Sequence, residues 1–464
     1  MKTDFDVIVI GGGSAGYAAA RTTAAAGLKT AVVEGGEQIG GLCILRGCMP
    51  TKALLYAAEV QHLVRHAATW GVRTQGGSFD WSAVMSRKDK LIAEFADDRV
   101  KQLSDGWFTF IRAHAKFRDA HTLELTEGRT LTAKYFVIST GSTVSKPPLN
   151  ALETAGYITS DEALTLTKPP RSLIVLGGGP VAVELSQFFL RFGVAVTLVQ
   201  RSEHILRDSD LDAAQVIEGV LCREGMQVFV GTKLTGAGRA AAGKYVEFTH
   251  AGKTERVEAE EILLALGRSP NTESLALDRA GVRAHGGRIV TDAGMRTSAS
   301  HIFAAGDCTG PYDIVHIAIQ QGEAAAQNII QGGPQRLMDY RLLTSVVFTD
   351  PQLGVVGLTE KAARAANIPY LAASYPFNDH GKSMIMEALD GFVKLLADPT
   401  SGEIIGGACV GPLGGELIHE IVAAMHKRMT VHELATMPHY HPTLAEIWTY
   451  PAEELAARIG EPTR

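Results

Sequence analysis

Two glycine-rich turns, each set between an apolar strand and a helix, constrain the fold more than any other feature of this 464-residue chain. The first is Gly11-Gly12-Gly13-Ser14-Ala15-Gly16, which follows the apolar run 6–10 and precedes an alanine-rich stretch, 17–27, and a second apolar run, 29–33. The second is Gly177-Gly178-Gly179-Pro180-Val181-Ala182, between the run 173–176, a helical stretch reaching Phe192 and the run 195–199. Small residues at the first, third and sixth places let the backbone turn sharply and bring free N–H groups against a phosphate at a helix N-terminus. One such turn is weak evidence, whereas two in the same strand, turn, helix, strand setting predict two α/β units that each bind a dinucleotide.

The two copies calibrate each other. In the first, Gly11, Gly13, Ser14, Ala15 and Gly16 form the candidate phosphate cradle, and Glu34 closes the following strand where an acid takes a ribose hydroxyl. In the second, Gly177, Gly179 and Ala182 form the cradle, and the same spacing lands on Gln200, with Arg201 next and Arg207 a little further on. An acid there repels a 2′-phosphate, and a neutral residue flanked by arginines accepts one. The first site therefore suits an adenosine with free hydroxyls, as in FAD, and the second suits NADPH over NADH. The competing reading of Arg201 and Arg207 is a pair of solvated surface charges.

Downstream of the first turn, Cys43 and Cys48 lie in the run Gly40-Gly41-Leu42-Cys43-Ile44-Leu45-Arg46-Gly47-Cys48-Met49-Pro50-Thr51-Lys52. A disulfide needs Cα atoms within about 7 Å, and five residues of continuous helix already rise about 7.5 Å. The pair can therefore close only where a helix has not begun, which predicts a loop through Gly47 and a helix opened by Pro50. A thiol at a helix N-terminus has its thiolate stabilised by free N–H groups. The expectation is a reactive, reversible dithiol. A zinc half-site and a structural disulfide were the alternatives, but Cys222, Cys308 and Cys409 are scattered singly, and five cysteines in 464 residues do not make a disulfide scaffold. Those three read as ordinary buried thiols, and no resident metal is expected.

A net charge of −6, with 46% hydrophobic and 20% charged residues, describes a globular α/β protein of several domains and offers no basic surface for nucleic acid. The apolar stretch 7–28 is broken by glycines and Arg21, so no membrane span is expected. No cationic leader precedes the first strand. A cytoplasmic location follows, and a reducing compartment favours a redox-active pair.

With these motifs in place, the chain resembles the FAD-dependent pyridine nucleotide-disulfide oxidoreductases, the family of dihydrolipoamide dehydrogenase, glutathione reductase and mercuric reductase, along essentially its whole length. Three further segments carry the likeness. Ser139-Thr140-Gly141 resembles the turn closing the flavin domain, Ala265-Leu266-Gly267-Arg268-Ser269-Pro270-Asn271 the loop after the nicotinamide domain, and Ala304-Ala305-Gly306-Asp307 the segment whose aspartate meets the ribityl and phosphate side of FAD. The resemblance implies that Thr140, Gly141, Gly267, Arg268 and Asp307 serve cofactor binding. It also implies that a helix beginning near His316 aims its N-terminus at the flavin.

The segment His439-Tyr440-His441-Pro442-Thr443-Leu444-Ala445-Glu446 is similar to the dihydrolipoamide dehydrogenase signature, which implies His441 as acid–base catalyst, Glu446 as its orienting partner and His439 as a supporting residue. Family correspondence further implies that Lys52 pairs with Glu184 beside the flavin, the alternative for Lys52 being an ordinary surface lysine. Cys48 becomes the flavin-side thiol and Cys43 the thiol that exchanges with substrate. The implied fold is α/β, with two Rossmann-like dinucleotide-binding domains and a C-terminal α+β dimerisation domain. Its parts would be 1–150 (FAD, with the dithiol), 151–270 (NAD(P)), 271–340 (FAD, second part) and 341–464 (dimerisation). An obligate homodimer, in which the histidine of one protomer serves the dithiol of the other, is implied as well.

Departures from the family pattern bear on substrate. Leu42 stands where threonine is usual and Leu45-Arg46 where Asn-Val is usual, which makes the surroundings of the dithiol more apolar with one added charge. Val346–Pro351 and Gly294–Thr297 resemble mercuric reductase, yet no C-terminal cysteine pair follows Cys409. Pro180 occupies the place of glutathione reductase's tyrosine gate. A small dithiol or disulfide, or a lipoyl-carrying protein, is the expected partner. Reduction of another small disulfide or of mercuric ion is the alternative within the family, and a flavin-bearing redox sensor or scaffold is the alternative outside it.

Overall fold

The computed structural model describes residues 3–241, 243–333 and 336–460. The chain divides into two compact units, one of residues 1–53, 82–146 and 267–339 and the other of 54–81, 147–266 and 340–464.

The first unit is built on a parallel sheet in which Thr109–Arg112, Thr30–Glu34, Phe5–Ile10 and Thr130–Ile138 lie side by side, with Ile302–Ala304 pairing on the far side of Thr130–Ile138. The central strand reads Phe-Asp-Val-Ile-Val-Ile because both faces are covered. Val7 and Val9 face a layer containing Ala19, Ala20 and Ala324 to Ala326, and Ile8 and Ile10 face Phe117, Leu123 and Phe136. This is the alternation a strand imposes. The helix after the first glycine turn spans Ser14–Ala25, three residues earlier than the alanine pattern suggests, because the turn itself delivers Gly13 as the residue capping the helix. That helix packs closely on Val315–Gln331, since a Cβ on Gly322 would come within 2.2 Å of the Ala15 carbonyl oxygen.

The second unit holds another parallel sheet, ordered Gln227–Phe229, Ala195–Val199, Ser172–Leu176, Glu261–Leu264 and Ile158–Thr159. A three-stranded antiparallel sheet, Lys233–Ala240, Gly243–His250 and Lys253–Ala259, packs Val246 and Phe248 against Ile174 and Leu264 of that sheet. Residues from Thr344 onward form a five-stranded antiparallel sheet covered by Gly414–His426 and Thr449–Ile459, with Phe377, Ile418, Ile421 and Trp448 fully buried between the layers. Among the described residues no helix is long and apolar enough to cross a membrane.

Candidate active site

The first glycine turn has the form of a phosphate cradle. Gly11 has φ +101° and a Cβ there would meet the Ser139 carbonyl oxygen at 2.5 Å, while a Cβ on Gly16 would meet the Gly11 carbonyl oxygen at 1.9 Å. These two glycines let strand, turn and helix close on one another. Gly13 is different: only the Gly41 Cα, at 3.9 Å, comes near the place its Cβ would occupy. The helix N-terminus at Ser14 and Ala15 is therefore roofed by backbone alone, a setting in which free N–H groups accept an anion. Glu34 Oε2 accepts from the Gly12 N–H at 2.7 Å and Oε1 from the Gly36 N–H at 2.7 Å, which fixes the carboxylate at the end of its strand.

Around this cradle the unit gathers the other expected cofactor residues. Ser142 Oγ donates to Asp307 Oδ2 at 2.7 Å, and Arg268 grips Ser142 through Nε to Oγ and Nη2 to the carbonyl, both at 2.8 Å. Burial pushes the Asp307 carboxyl above its usual range, against the hydrogen bond from Ser142. Arg268 lies on the short strand Arg268–Pro270, paired with Ser142–Val144, so Gly267 and Arg268 belong to the first unit. Gly141, with φ +68°, has nothing within 4 Å of its Cβ position, and Asn271 N–H donates to its carbonyl at 2.9 Å. The Thr140 hydroxyl is buried without a protein partner, an orphaned group of the kind a bound cofactor satisfies. His316 is the second residue of the helix Val315–Gln331, as expected. A backbone-lined cradle, a fixed ribose acid and an orphaned hydroxyl together fit FAD.

The dithiol geometry corrects one expectation. Cys43 does not lie in a loop but in the short helix Gly41–Leu45, and Cys48, not Pro50, opens the helix Cys48–His66. The pair remains close because the chain breaks between the two helices at Arg46 and Gly47, where a Cβ on Gly47 would press on the Leu42 carbonyl oxygen at 3.0 Å. Pro50 sits in the first turn, where its missing N–H costs nothing. Neither cysteine is in a disulfide in this structure, and Cys43 is hydrogen-bonded to Cys48. That bond, then burial and the charge of Cys48, hold the Cys43 thiol far above its ordinary range, with Arg99 and Lys52 opposing. Cys48 stands at the N-terminus of its helix, where free N–H groups favour a thiolate.

Arg99 was not legible in the sequence. It lies on the helix Trp81–Ser104 with its guanidinium carbon 4.4 Å from the centre of the Tyr17 ring, and no spacing ties it to the dithiol. A second correction concerns Cys222, which is exposed rather than buried; Cys308 and Cys409 are buried as expected, and burial pushes Cys308 up to about 11. Among the described residues no group of three or more His, Cys, Asp or Glu side chains is placed to hold a metal ion.

In the second unit, Gly177 (φ +120°) repeats the role of Gly11, since its Cβ would meet the Ala265 carbonyl oxygen at 2.3 Å. Gly179 caps the helix Pro180–Arg191 and opens to free space, and Ala182 is buried beneath. Gln200 is buried against the turn, with its side-chain carbons 3.0 Å from a Cβ on Gly178, the position that Glu34 holds beside Gly12. Arg201 follows it. Arg207 reaches the same turn only through its neighbour, for the Leu206 N–H donates to the Gly178 carbonyl while the Arg207 side chain lies 3.5 Å from Asp208. Glu184 is buried on the helix Pro180–Arg191 and accepts from the Phe348 N–H at 2.9 Å.

The C-terminal segment brings His441 and Glu446 together. His441 Nδ1 lies 2.9 Å from Glu446 Oε2 and 3.2 Å from Oε1, and the imidazole is 78% exposed. Glu446 is anchored by the helical turn Ala445–Trp448, which buries Trp448 in the core. His439 is nearly buried with Nε2 2.6 Å from Glu420. His380, fully buried 3.3 Å from Glu446, has no signal in the sequence because it comes from a different loop.

This constellation is that of a flavin-dependent disulfide oxidoreductase. The chain belongs to the pyridine nucleotide-disulphide oxidoreductase family, whose two-dinucleotide region it matches over residues 5–322 and whose dimerisation domain it matches over 343–452. It is similar to the mercuric reductase of Lysinibacillus sphaericus (33% identical over 433 residues, 93% of this chain and 79% of that one). It is likewise similar to the dihydrolipoyl dehydrogenase of Thermus scotoductus (35% identical over 436 residues, 93% of each). Among solved structures, LpdA from Mycobacterium tuberculosis superposes with a TM-score of 0.87 at 28% identity, covering 97% of this chain and 99% of that one. FAD and a pyridine nucleotide are the cofactors of the family.

Proposed function

We propose that the protein transfers electrons between NADPH and a small disulfide, lipoamide-like in chemistry, through the Cys43–Cys48 pair, as a homodimer. The observation that carries this reading is the His441–Glu446 pair: a tautomer-fixed, exposed imidazole in a chain that also holds a dithiol at a helix N-terminus. Two buried, lone cysteines, Cys308 and Cys409, offer no further thiol pair for mercuric ion, which favours the organic disulfide. The proposed parts are those of the sequence with one boundary moved: 1–150 and 267–340 for FAD with the dithiol, 151–266 for the nicotinamide and 341–464 for dimerisation. A reducing cytoplasm suits such a pair.

When bound, FAD supplies the two-electron chemistry that links a nicotinamide hydride to the dithiol. Gly11 to Gly16 and the N–H groups of Ser14 and Ala15 would hold its diphosphate, Glu34 its adenosine ribose, and Asp307, with Thr140 and Arg268 nearby, its middle. Lys52, in electrostatic reach of Cys43, favours thiolate at the dithiol, and its pairing with Glu184 is part of the proposal. Gln200 leaves room without negative charge for a 2′-phosphate that Arg201 and Arg207 would meet.

Exchange then follows from the thiols. His441 takes the proton of the Cys43 thiol, the Cys43 thiolate attacks one sulfur of the substrate disulfide and breaks its S–S bond to form a mixed disulfide, and the departing thiolate takes that proton back from His441. The Cys48 thiolate attacks the Cys43 sulfur, closes the Cys43–Cys48 disulfide and releases the second substrate sulfur as a thiolate, which takes a proton from water. The substrate is reduced by two electrons and the dithiol is oxidised by two, which NADPH restores. In the dimer the histidine of one protomer would serve the dithiol of its partner.

The test is steady-state turnover of purified, FAD-loaded protein with NADPH and NADH against lipoamide, glutathione disulfide, other small disulfides and mercuric ion, in both directions. Sustained turnover of one organic disulfide is expected. A single reduction that then stops would indicate a sensor or scaffold, and turnover confined to mercuric ion would overturn the choice of substrate.

A further inference from the structure

His380 ends the short turn Phe377–Asp379 and precedes the helix Gly381–Ile385, far in sequence from His441. Its imidazole has no solvent-exposed surface, yet the hydrophobic neighbours that bury it do not satisfy its nitrogens. Nδ1 lies 2.8 Å from Ser383 Oγ. Nε2 is completely enclosed and lies 3.3 Å from Glu446 Oε1, too poorly aligned for a full hydrogen bond but in close electrostatic contact. Glu446 Oε2 is the atom that His441 Nδ1 engages at 2.9 Å.

One proton arrangement sets no two like-charged atoms or lone pairs against each other. The Ser383 hydroxyl donates to Nδ1, the Nε2–H of His380 faces Glu446 Oε1, and Glu446 Oε2 accepts from the Nδ1–H of His441, which leaves His441 Nε2 as the outward base. The opposite tautomer of His380 would set a bare nitrogen lone pair against a carboxylate in a dry site, which is unfavourable. We infer that His380 is a positioning residue for the acid–base pair: a second, neutral imidazole that clamps Glu446 and shares its charge, so that His441 holds its proton less tightly than Glu446 alone would dictate. This rests on the proposed role of His441 and Glu446.

The surrounding charges allow His380 to stay neutral. Burial lowers its proton affinity and the charge of His441 does the same, while Glu446 opposes both. Tyr450 meets the ring edge-on at 6.5 Å and stacks on Tyr375 at 4.0 Å, and Tyr375 in turn donates to Asp379 Oδ2 at 2.9 Å. Lys382 flanks it on the short helix, and Lys394, on the strand Phe392–Ala397, is committed to Asp210, Asp212 and Glu360.

The experiment compares wild type, His380→Leu, His380→Gln and Ser383→Ala as full-length, FAD-loaded proteins. Two readouts follow His441: the pH dependence of disulfide turnover, and the pH dependence of its acylation by diethyl pyrocarbonate, measured by peptide mass spectrometry. His380→Leu removes the N–H facing Glu446, so the His441 midpoint should rise by roughly half to one pH unit in both. Ser383→Ala should move it the same way by less, because the tautomer is no longer held. His380→Gln keeps a donor and should restore most of the wild-type midpoint. FAD content and thermal midpoint show which variants are folded, and Ser383→Ala carries the test if His380→Leu is not.

An unchanged midpoint in the folded variants, or a Gln variant shifted as far as Leu, would overturn the inference. His441→Ala run alongside separates the two claims. Wild-type disulfide turnover in that variant would refute the acid–base pair itself, whereas lost turnover with unmoved His380 variants would refute only the clamp.

Discussion

Nicotinamide choice gives the sharpest test of the paired glycine turns. At the first turn Glu34 receives the Gly12 N–H at 2.7 Å, and at the second the Gln200 side chain lies against Gly178 in the matching place. Gln200→Glu therefore installs a carboxylate where the first site already has one, with the backbone N–H of Gly178 available to hold it. Two unit charges about 4 Å apart repel by about 4 kcal/mol at an effective dielectric constant of about 20. The mouth of the site is wetter and salt screens the rest, which leaves about 1.4–2.8 kcal/mol, or roughly 10- to 100-fold. The wild type should show the higher kcat/KM with NADPH, and Gln200→Glu should lower the NADPH to NADH ratio by that factor, with kcat for NADH little changed. The ratio in wild type should also shrink as ionic strength rises, since Arg201 and Arg207 act through charge. Steady-state kinetics with both nucleotides at several salt concentrations measure all three. A wild type that strongly prefers NADH, or a ratio indifferent to Gln200→Glu, would refute the reasoning.

Purified protein should be yellow, with one FAD per subunit released on denaturation and identified by chromatography; FMN or an absent flavin would contradict the Glu34 and Asp307 assignments. Cys43→Ser should show a long-wavelength charge-transfer absorbance that disappears as the Cys48 thiolate is protonated, while Cys48→Ser should accept electrons from NADPH yet turn over no disulfide. His441→Ala should lower disulfide turnover by roughly 10²–10⁴-fold, read against unimpaired reduction by NADPH. Lys394, 4% exposed and within 3.0 Å of Asp210, Asp212 and Glu360, should be structural: Lys394→Met leaves three carboxylates facing one another and should cost about 3–5 kcal/mol in denaturant unfolding. Because the Asp210 and Glu360 carboxyls are held below their usual range in the folded protein, what they contribute is present above the unfolded carboxylate range and is lost as pH falls through their folded values. Acid unfolding should therefore begin at higher pH if either is replaced by its amide.

Much of this protein is written locally. Gly11 and Gly177 each close a turn that only a residue without a side chain permits, and strand, turn and helix follow within about 25 residues, so both dinucleotide units could be read from spacing alone. The pairing of His441 with Glu446 was implied by the likeness of their segment to a family signature, since a histidine and a glutamate five apart say little by themselves, and Cys48 opens a helix that the sequence placed two residues later. Other contacts depend on chain segments that meet only after folding. Cys43 is helical because the turn at Gly41 packs on Gly13, nearly thirty positions earlier, and Cys222 is exposed because the helix Leu211–Arg223 buries its other face. Arg99 reaches Tyr17 from another helix, Ser142 links Arg268 to Asp307 from a strand more than a hundred positions away from both, and His380 meets Glu446 through the packing of the C-terminal layer. Periodicity and spacing carry information over one or two turns of chain. They determined here which chemistry the protein holds, and the tertiary packing alone decided which neighbours tune it.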